Sequence, residues 1–290
     1  MKEFIVSPFY SIIDNKLLYL GKYEICKLPA DEEIKKYILI NEGVILKENE
    51  IENKKCSALV LEPHPDDFAL SALGYTLNRY NTIVCNIFSK TNINSFTWIK
   101  DIKINEKEYE SLRLGESKLS IEKLLKQQFV SLKEESKRIT KNDNRSIEEK
   151  ILNFTKNVLN EKLNIDTILV PMGIGNHPDH LIVHNTIMNN YNILNKKTKI
   201  ILYPEFPYAR CKKDYINRLE ELNSKYKLKK ITIDVEDMIE TIVDAISIYR
   251  SQFDDINRNQ MLAIVREDCR ALAQENKKEK MLLVYYEIEV

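Results

Sequence analysis

Two short segments of this sequence concentrate the residue types that hold metals and move protons. Pro63-His64-Pro65-Asp66-Asp67 sets one imidazole beside two carboxylates, and His177-Pro178-Asp179-His180 sets two imidazoles around a third. The chain has four histidines; three lie in these segments and the fourth, His184, follows His180 by one helical turn. Imidazole and carboxylate are ligands suited to zinc and to non-haem ferrous iron. His64, one aspartate and His180 make a two-histidine, one-carboxylate set, which leaves a second aspartate and His177. Hydrolysis at a metal needs a base to take a proton from water and a donor to stabilise the oxyanion. The two remaining groups fill those roles, which favours a zinc hydrolase over a ferrous-iron oxygenase, where an adjacent second carboxylate has no use. The prolines flanking His64 fix the backbone around it. Either Asp66 or Asp67 would also serve as a helix N-cap. His184 reads as a packed or solvated helix residue beside the site.

Something must bring the two segments together. Apolar, β-branched runs at 58–61, 82–88, 167–171, 199–203, 230–235 and 282–288 predict strands, and the patterns at 67–80, 106–125, 146–163, 180–194 and 235–251 predict helices. The alternation predicts an α/β, Rossmann-like fold, a largely parallel sheet flanked by helices. In such sheets ligands bind beyond the carboxyl ends of the strands. Both segments fall there, the first after the 58–61 run and the second after 167–171 and the loop 172–176. Residues 1–52 do not follow the alternation; 9–18 and 19–27 predict a hairpin with Asp14-Asn15 near its turn, and 30–39 a short helix. They are read as a small N-terminal appendage of unassigned role, leaving 53–290 as the domain that carries the site. The polar stretch 131–144 reads as a solvated connection.

Composition removes several function classes. Lys and Arg total 44, as do Asp and Glu, so the chain lacks the bulk positive charge of a non-specific nucleic-acid binder. No apolar run approaches the ~20 residues of a membrane span, and the N-terminus lacks the apolar core of a signal peptide. Five cysteines lie far apart with no CxxC pair, the usage expected in a reducing compartment. A cytoplasmic protein acting on a small molecule is expected, with homo-oligomer formation open.

The two segments together resemble the signatures of the LmbE-like or PIG-L-like N-acetyl sugar deacetylases, a His-Pro-Asp-Asp after the first strand and a later His-Pro-Asp-His. Weaker likenesses follow in the same order. Lys103-Ile104-Asn105-Glu106 leading to Leu114-Gly115 resembles the family's basic-x-x-Glu helix, and Tyr249-Arg250-Ser251-Gln252 its C-terminal aromatic-x-Ser-Gln. Tyr203-Pro204-Glu205-Phe206-Pro207-Tyr208-Ala209 resembles a segment of some members. The resemblance implies His64, Asp67 and His180 as zinc ligands and Asp66 as general base; Fe2+ is the other metal that the donor set itself would take. It implies His177 as the group that stabilises the oxyanion, and Asp179 as the orienter of a histidine. Lys103, Glu205 and Tyr208 become candidates for contacting sugar hydroxyls. The implied reaction is removal of an N-acetyl group from an amino sugar, such as an N-acetylglucosamine unit, or from a glycoside. The other readings are a non-catalytic binding module on the same fold and the ferrous-iron oxygenase. Three positions depart from the family: Phe68 where a glutamate is usual, Gly175 where some members have tyrosine, and Lys103 where arginine is usual.

Overall fold

The computed structural model describes residues 56–91, 105–137, 143–160, 165–194, 198–253, 256–272 and 280–289, together with five short strands nearer the N-terminus. Those strands are β1 (Ile5–Val6), β2 (Tyr10–Ile13), β3 (Lys16–Tyr19), β4 (Glu24–Lys27) and β5 (Ile45–Leu46). β2, β3 and β4 form an antiparallel meander, and β1 pairs antiparallel with β5. Ile13 pairs with Lys16, and Asp14-Asn15, where the turn was expected, lie outside the described residues. The expected first strand, 9–18, instead divides: residues 16–19 return along β2, and 24–27, from the expected second strand, add a third. The helix expected at 30–39 lies outside the described residues.

The six runs read as strands, with a seventh strand at 128–135, assemble into one seven-stranded sheet. Its members are β6 (Cys56–Glu62), β7 (Tyr80–Lys90), β8 (Gln128–Glu135), β9 (Ile165–Pro171), β10 (Lys199–Tyr203), β11 (Lys227–Asp234) and β12 (Leu282–Glu289). The order is β11-β12-β10-β9-β6-β7-β8, with β12 antiparallel to both of its neighbours and the other pairings parallel. A parallel strand covered by helices on both faces must be apolar along its length. Leu59, Val60, Leu61, Ile168, Leu169, Val170, Ile201 and Leu202 are all fully buried. Each such side chain contributes about 1.5–3 kcal/mol relative to exposure, so the middle of the sheet is its firmest part.

A π-helical turn, Phe68–Ala72, runs into α1 (Leu73–Thr76) after β6. α2 (Glu106–Lys118) likewise ends in a π-helical turn, Leu119–Leu124. The remaining helices are α3 (Arg145–Asn160), α4 (Pro178–Met188), α5 (Lys212–Lys225), α6 (Ile239–Ser247) and α7 (Arg258–Leu272). The polar stretch read as a solvated connection is partly structural, since its first residues belong to β8, the edge strand beside β7.

The connections fix where a ligand can enter. From β6 the chain steps outward to β7 and β8, then returns to lay β9 on the other side of β6 and continue to β10. The crossovers on the two sides of the β6–β9 pair therefore run in opposite senses. The gap between their carboxyl ends is the switch point where doubly wound sheets open a crevice. Both histidine segments leave the sheet there.

Candidate active site

β6 ends in Glu62, whose side chain is fully buried. Its Oε2 accepts the Phe68 N–H at 3.0 Å, so the carboxylate at the strand end closes the loop 63–67 back on itself. Within the loop the Asp67 N–H donates to His64 O at 3.2 Å and the His64 N–H to Asp67 Oδ2 at 2.7 Å. Asp66 sits between them at φ +130°. That region is foreign to side chains with a Cβ and costs on the order of 1–3 kcal/mol. Strain at this residue sets the two neighbouring carboxylates on different headings.

The second segment approaches from β9. Gly173 and Gly175 have φ of +81° and +72°, and Asn176 of +58°, which turns the chain sharply after Met172. His177 then caps α4, its Nδ1 accepting the Asp179 N–H at 3.2 Å, with Pro178 at the first helical position. A neutral imidazole that accepts at Nδ1 carries its proton on Nε2. His180 follows on the first turn of α4 and is fully buried.

The two segments meet at three atoms. His180 Nε2 lies 3.3 Å from His64 Nδ1, and Asp67 Oδ2 lies 3.6 Å from each of those nitrogens. Ligands at ~2.0–2.1 Å from a tetrahedral zinc stand about 3.3–3.4 Å apart, so the triangle has the size of a metal's coordination face. A wider group, His64, His177 and His180, has ligating atoms within 4.8 Å of one another. The tighter triangle is the better match to a single ion, and His177 borders it, its ring 4.9 Å from that of His64 and 5.0 Å from that of His180.

Behind each histidine stands a carboxylate. Asp179 Oδ2 lies 2.8 Å from His64 Nε2 and also accepts from Ser136 Oγ at 2.6 Å, while its Oδ1 accepts the Lys137 N–H at 2.7 Å. Burial opposes ionisation of Asp179, but the hydrogen bonds from His64, Ser136 and Lys137 outweigh it and hold the carboxyl at about 2. Glu205 Oε1 lies 3.2 Å from His180 Nδ1 and accepts the Gly173 N–H at 2.5 Å. These partners draw the protons to His64 Nε2 and His180 Nδ1, which aims lone pairs at the triangle. Two imidazole lone pairs and a carboxylate oxygen so close repel one another unless a positive charge stands among them. The donor set fits a divalent cation. In its absence a proton can serve: burial disfavours a charged His180, yet Asp67 and Glu205 raise its proton affinity above the usual histidine value. Burial depresses that of His64.

Asp66 is placed differently. Its Oδ2 lies 3.0 Å from Arg113 Nη2, and the same nitrogen donates to the Pro65 carbonyl. Burial pushes its carboxyl up to about 7 against the pull of Arg113. His184, as expected, is packed away from the triangle: buried, Nδ1 2.8 Å from the Pro171 carbonyl, its pKa lowered by burial to about 4.

Other expectations fare unevenly. Glu205, a candidate for sugar hydroxyls, is fully buried with its oxygens committed to His180 and the 173–174 backbone. Tyr208 is half-buried, its ring 5.5 Å from His180 and 6.1 Å from His177, at the edge of the site. It packs against Gly175, where a Cβ would come within 3.2 Å of Tyr208 Cδ1. Phe68 is a core residue. Lys103 lies outside the described residues. The basic group that reaches the site is Arg113, which sequence reasoning missed. The signal was present, because basic-x-x-Glu recurs as Arg113-Leu114-Gly115-Glu116, and Glu116 receives the Ser251 N–H and Oγ–H at 2.8 and 2.6 Å.

Residues 59–191 match the family model described as PIG-L: GlcNAc-PI de-N-acetylase. No curated protein sequence matches. Among solved structures, the zinc-inhibited form of teicoplanin deacetylase Orf2 is similar at 16% identity and a TM-score of 0.63, covering 80% of this chain and 98% of that one. The N,N'-diacetylchitobiose deacetylase of Pyrococcus horikoshii is similar at 18% identity and a TM-score of 0.55, covering 79% and 83%. The 4-carboxy-2-hydroxymuconate hydratase GalB of Pseudomonas putida KT2440 is similar at 11% identity and a TM-score of 0.57, covering 81% and 96%. Identities this low speak to the fold, and one fold carries both named activities, so the reaction must be argued from the side chains. Among the described residues no helix is long and apolar enough to cross a membrane.

Proposed function

From the match of residues 59–191 to the PIG-L family model, we propose that the protein is a metal-dependent hydrolase that removes an N-acetyl group from an amino sugar or sugar-bearing small molecule. The observation that carries the reading is the triangle of His64 Nδ1, Asp67 Oδ2 and His180 Nε2 at 3.3–3.6 Å, with Asp179 and Glu205 behind its two imidazoles. His64, Asp67 and His180 are the residues to hold zinc, or Fe2+ in its place. Bound there, the cation would supply Lewis acidity, acidifying a water and polarising the acetamide carbonyl.

The chain's own residues supply the proton transfers. Asp66, whose carboxyl burial pushes up to about 7 and which Arg113 holds, takes the proton of the attacking water in its ionised form. His177 presents Nε2–H beside the triangle and donates to the oxyanion of the tetrahedral intermediate. The proton on Asp66 then passes to the departing amine, giving acetate and a free amino group. The burial of Asp67, His177 and His180 would limit competition from bulk water for these hydrogen bonds, and Tyr208, its ring 5.5 Å from that of His180, would be the residue to meet a sugar ring.

The test is a screen of N-acetylated sugars and glycosides with zinc-loaded protein, read as released primary amine. Asp66→Asn is expected to keep its zinc and lose about 10²–10⁴-fold in kcat. Loss of zinc from that variant would exchange the roles of base and ligand. Absence of amine release from every substrate by the zinc-bound wild type would leave a binding module. Oxygen consumption by iron-loaded protein would point to an oxygenase.

A further inference from the structure

The inward face of α2 is polar. Tyr109, Arg113, Glu116 and, in the π-helical turn beyond, Ser120 recur at helical spacing, and none is more than 4% exposed. Burying a guanidinium and a carboxylate forfeits hydration that apolar side chains would never need. Each member has a specific partner. Gln252 Nε2 donates to Tyr109 Oη at 2.8 Å, Ser251 donates twice to Glu116, and Ser120 Oγ donates to the Ala245 carbonyl at 3.2 Å. The stripe thus ties the helix to α6 and to the 251–252 turn that follows it, and Arg113 alone reaches the other way, to the loop 63–67.

There one nitrogen does two things. Arg113 Nη2 donates to the Pro65 carbonyl, just before the strained Asp66, and lies 3.0 Å from the Asp66 carboxylate. Backbone and side chain of the same residue are therefore referred to a single buried point. We propose that Arg113 is a positioning residue that holds Asp66 in its strained conformation, with Glu116 and Ser251 anchoring the helix that carries it. The proposal deepens the hydrolytic reading and rests on Asp66 as the base.

Arg113→Gln tests it, assayed on whichever N-acetylated sugar the wild type turns over. The variant is expected to lose about 100-fold in kcat, with KM within about twofold and zinc affinity, measured by chelator competition, within about threefold. Added guanidinium chloride at non-denaturing concentration is expected to restore kcat at least about tenfold, and the double variant R113Q/D66N to be no slower than D66N. A merely structural role would lower zinc affinity or folded fraction along with kcat and show no rescue, and either result overturns the proposal. If the wild type releases no amine, the hydrolytic reading fails while the positioning claim is still decided by urea unfolding. R113Q should then reduce the folding equilibrium constant at least about tenfold more in the wild-type background than in the D66N background. Equal losses in the two backgrounds would overturn it.

Discussion

A histidine ligand is only as good as what holds its other nitrogen. Asp179 and Glu205 each fix the far side of an imidazole, and each is fully buried. Partners of this kind are worth about 10–100-fold in metal affinity. Asp179→Asn and Glu205→Gln are therefore each expected to weaken zinc binding by about that factor while leaving the fold intact, as measured by competition with a chromophoric chelator alongside circular dichroism. Unchanged zinc affinity in Glu205→Gln would return that residue to the role of substrate contact first expected of it. The contrast shows what can be read from residue types. His64, His180 and the aspartates beside them stood out because histidine is scarce in this chain and the prolines bracket it. Glu205 and Arg113 belong to common types, and their roles depend on which way α2 and the 204–208 segment face, which spacing leaves open.

Elements were legible where burial imposes a pattern. β6, β9 and β10 lie in the middle of the sheet and carry uninterrupted apolar runs, so their positions were plain from sequence. β8 was not, because an edge strand is half-exposed and its alternation of Phe129, Ser131 and Lys133 with Val130 and Leu132 reads as polar loop. α5 escaped as well, being charged over most of its surface with Arg218 and Leu222 as its buried residues. The cost of missing β8 was functional, since Ser136 and Lys137 directly after it hold Asp179. The loop after β9 shows how tightly an element's exit can govern the site. Gly173 has φ +81°, its N–H is bound by Glu205, and a Cβ would approach Leu181 Cδ2 to 2.8 Å and Arg218 Nη2 to 3.2 Å. Gly173→Ala is expected to cost about 1–3 kcal/mol of stability by urea unfolding. Zinc affinity should fall with it, because the same displacement moves Glu205 from His180. A variant as stable as wild type would mean that the loop adjusts without strain.

At the scale of the molecule, the switch point between β6 and β9 concentrates buried acid groups around very little positive charge, and stability should record it. Burial pushes Glu116 up to about 8 against the hydrogen bonds from Ser251, and Asp66 up to about 7 against Arg113. An unfolded chain has ionised both by pH 6.5, since their ordinary values are 4.5 and 3.8. Between pH 6.5 and 8 the folded state consequently binds more protons than the unfolded one, and stability falls as pH rises. His180, with its raised proton affinity, acts in the same direction. His64 and His184, whose affinities are lowered, oppose the trend mainly below about 6.5. Metal-free protein is thus expected to lose about 1–2 kcal/mol across this window, at up to about 1.4 kcal/mol per pH unit for each proton released. Glu116→Gln should flatten the slope by removing one titrating group. Saturating zinc should change it more, because ligation requires His180 to give up the proton that substitutes for the ion, and metal affinity therefore rises with pH. Urea unfolding at pH 6.5, 7.2 and 8.0, with and without zinc, measures all three effects. A metal-free stability that climbs with pH would show that these carboxyls are already ionised in the folded protein, and that the charge at the switch point is balanced without a cation.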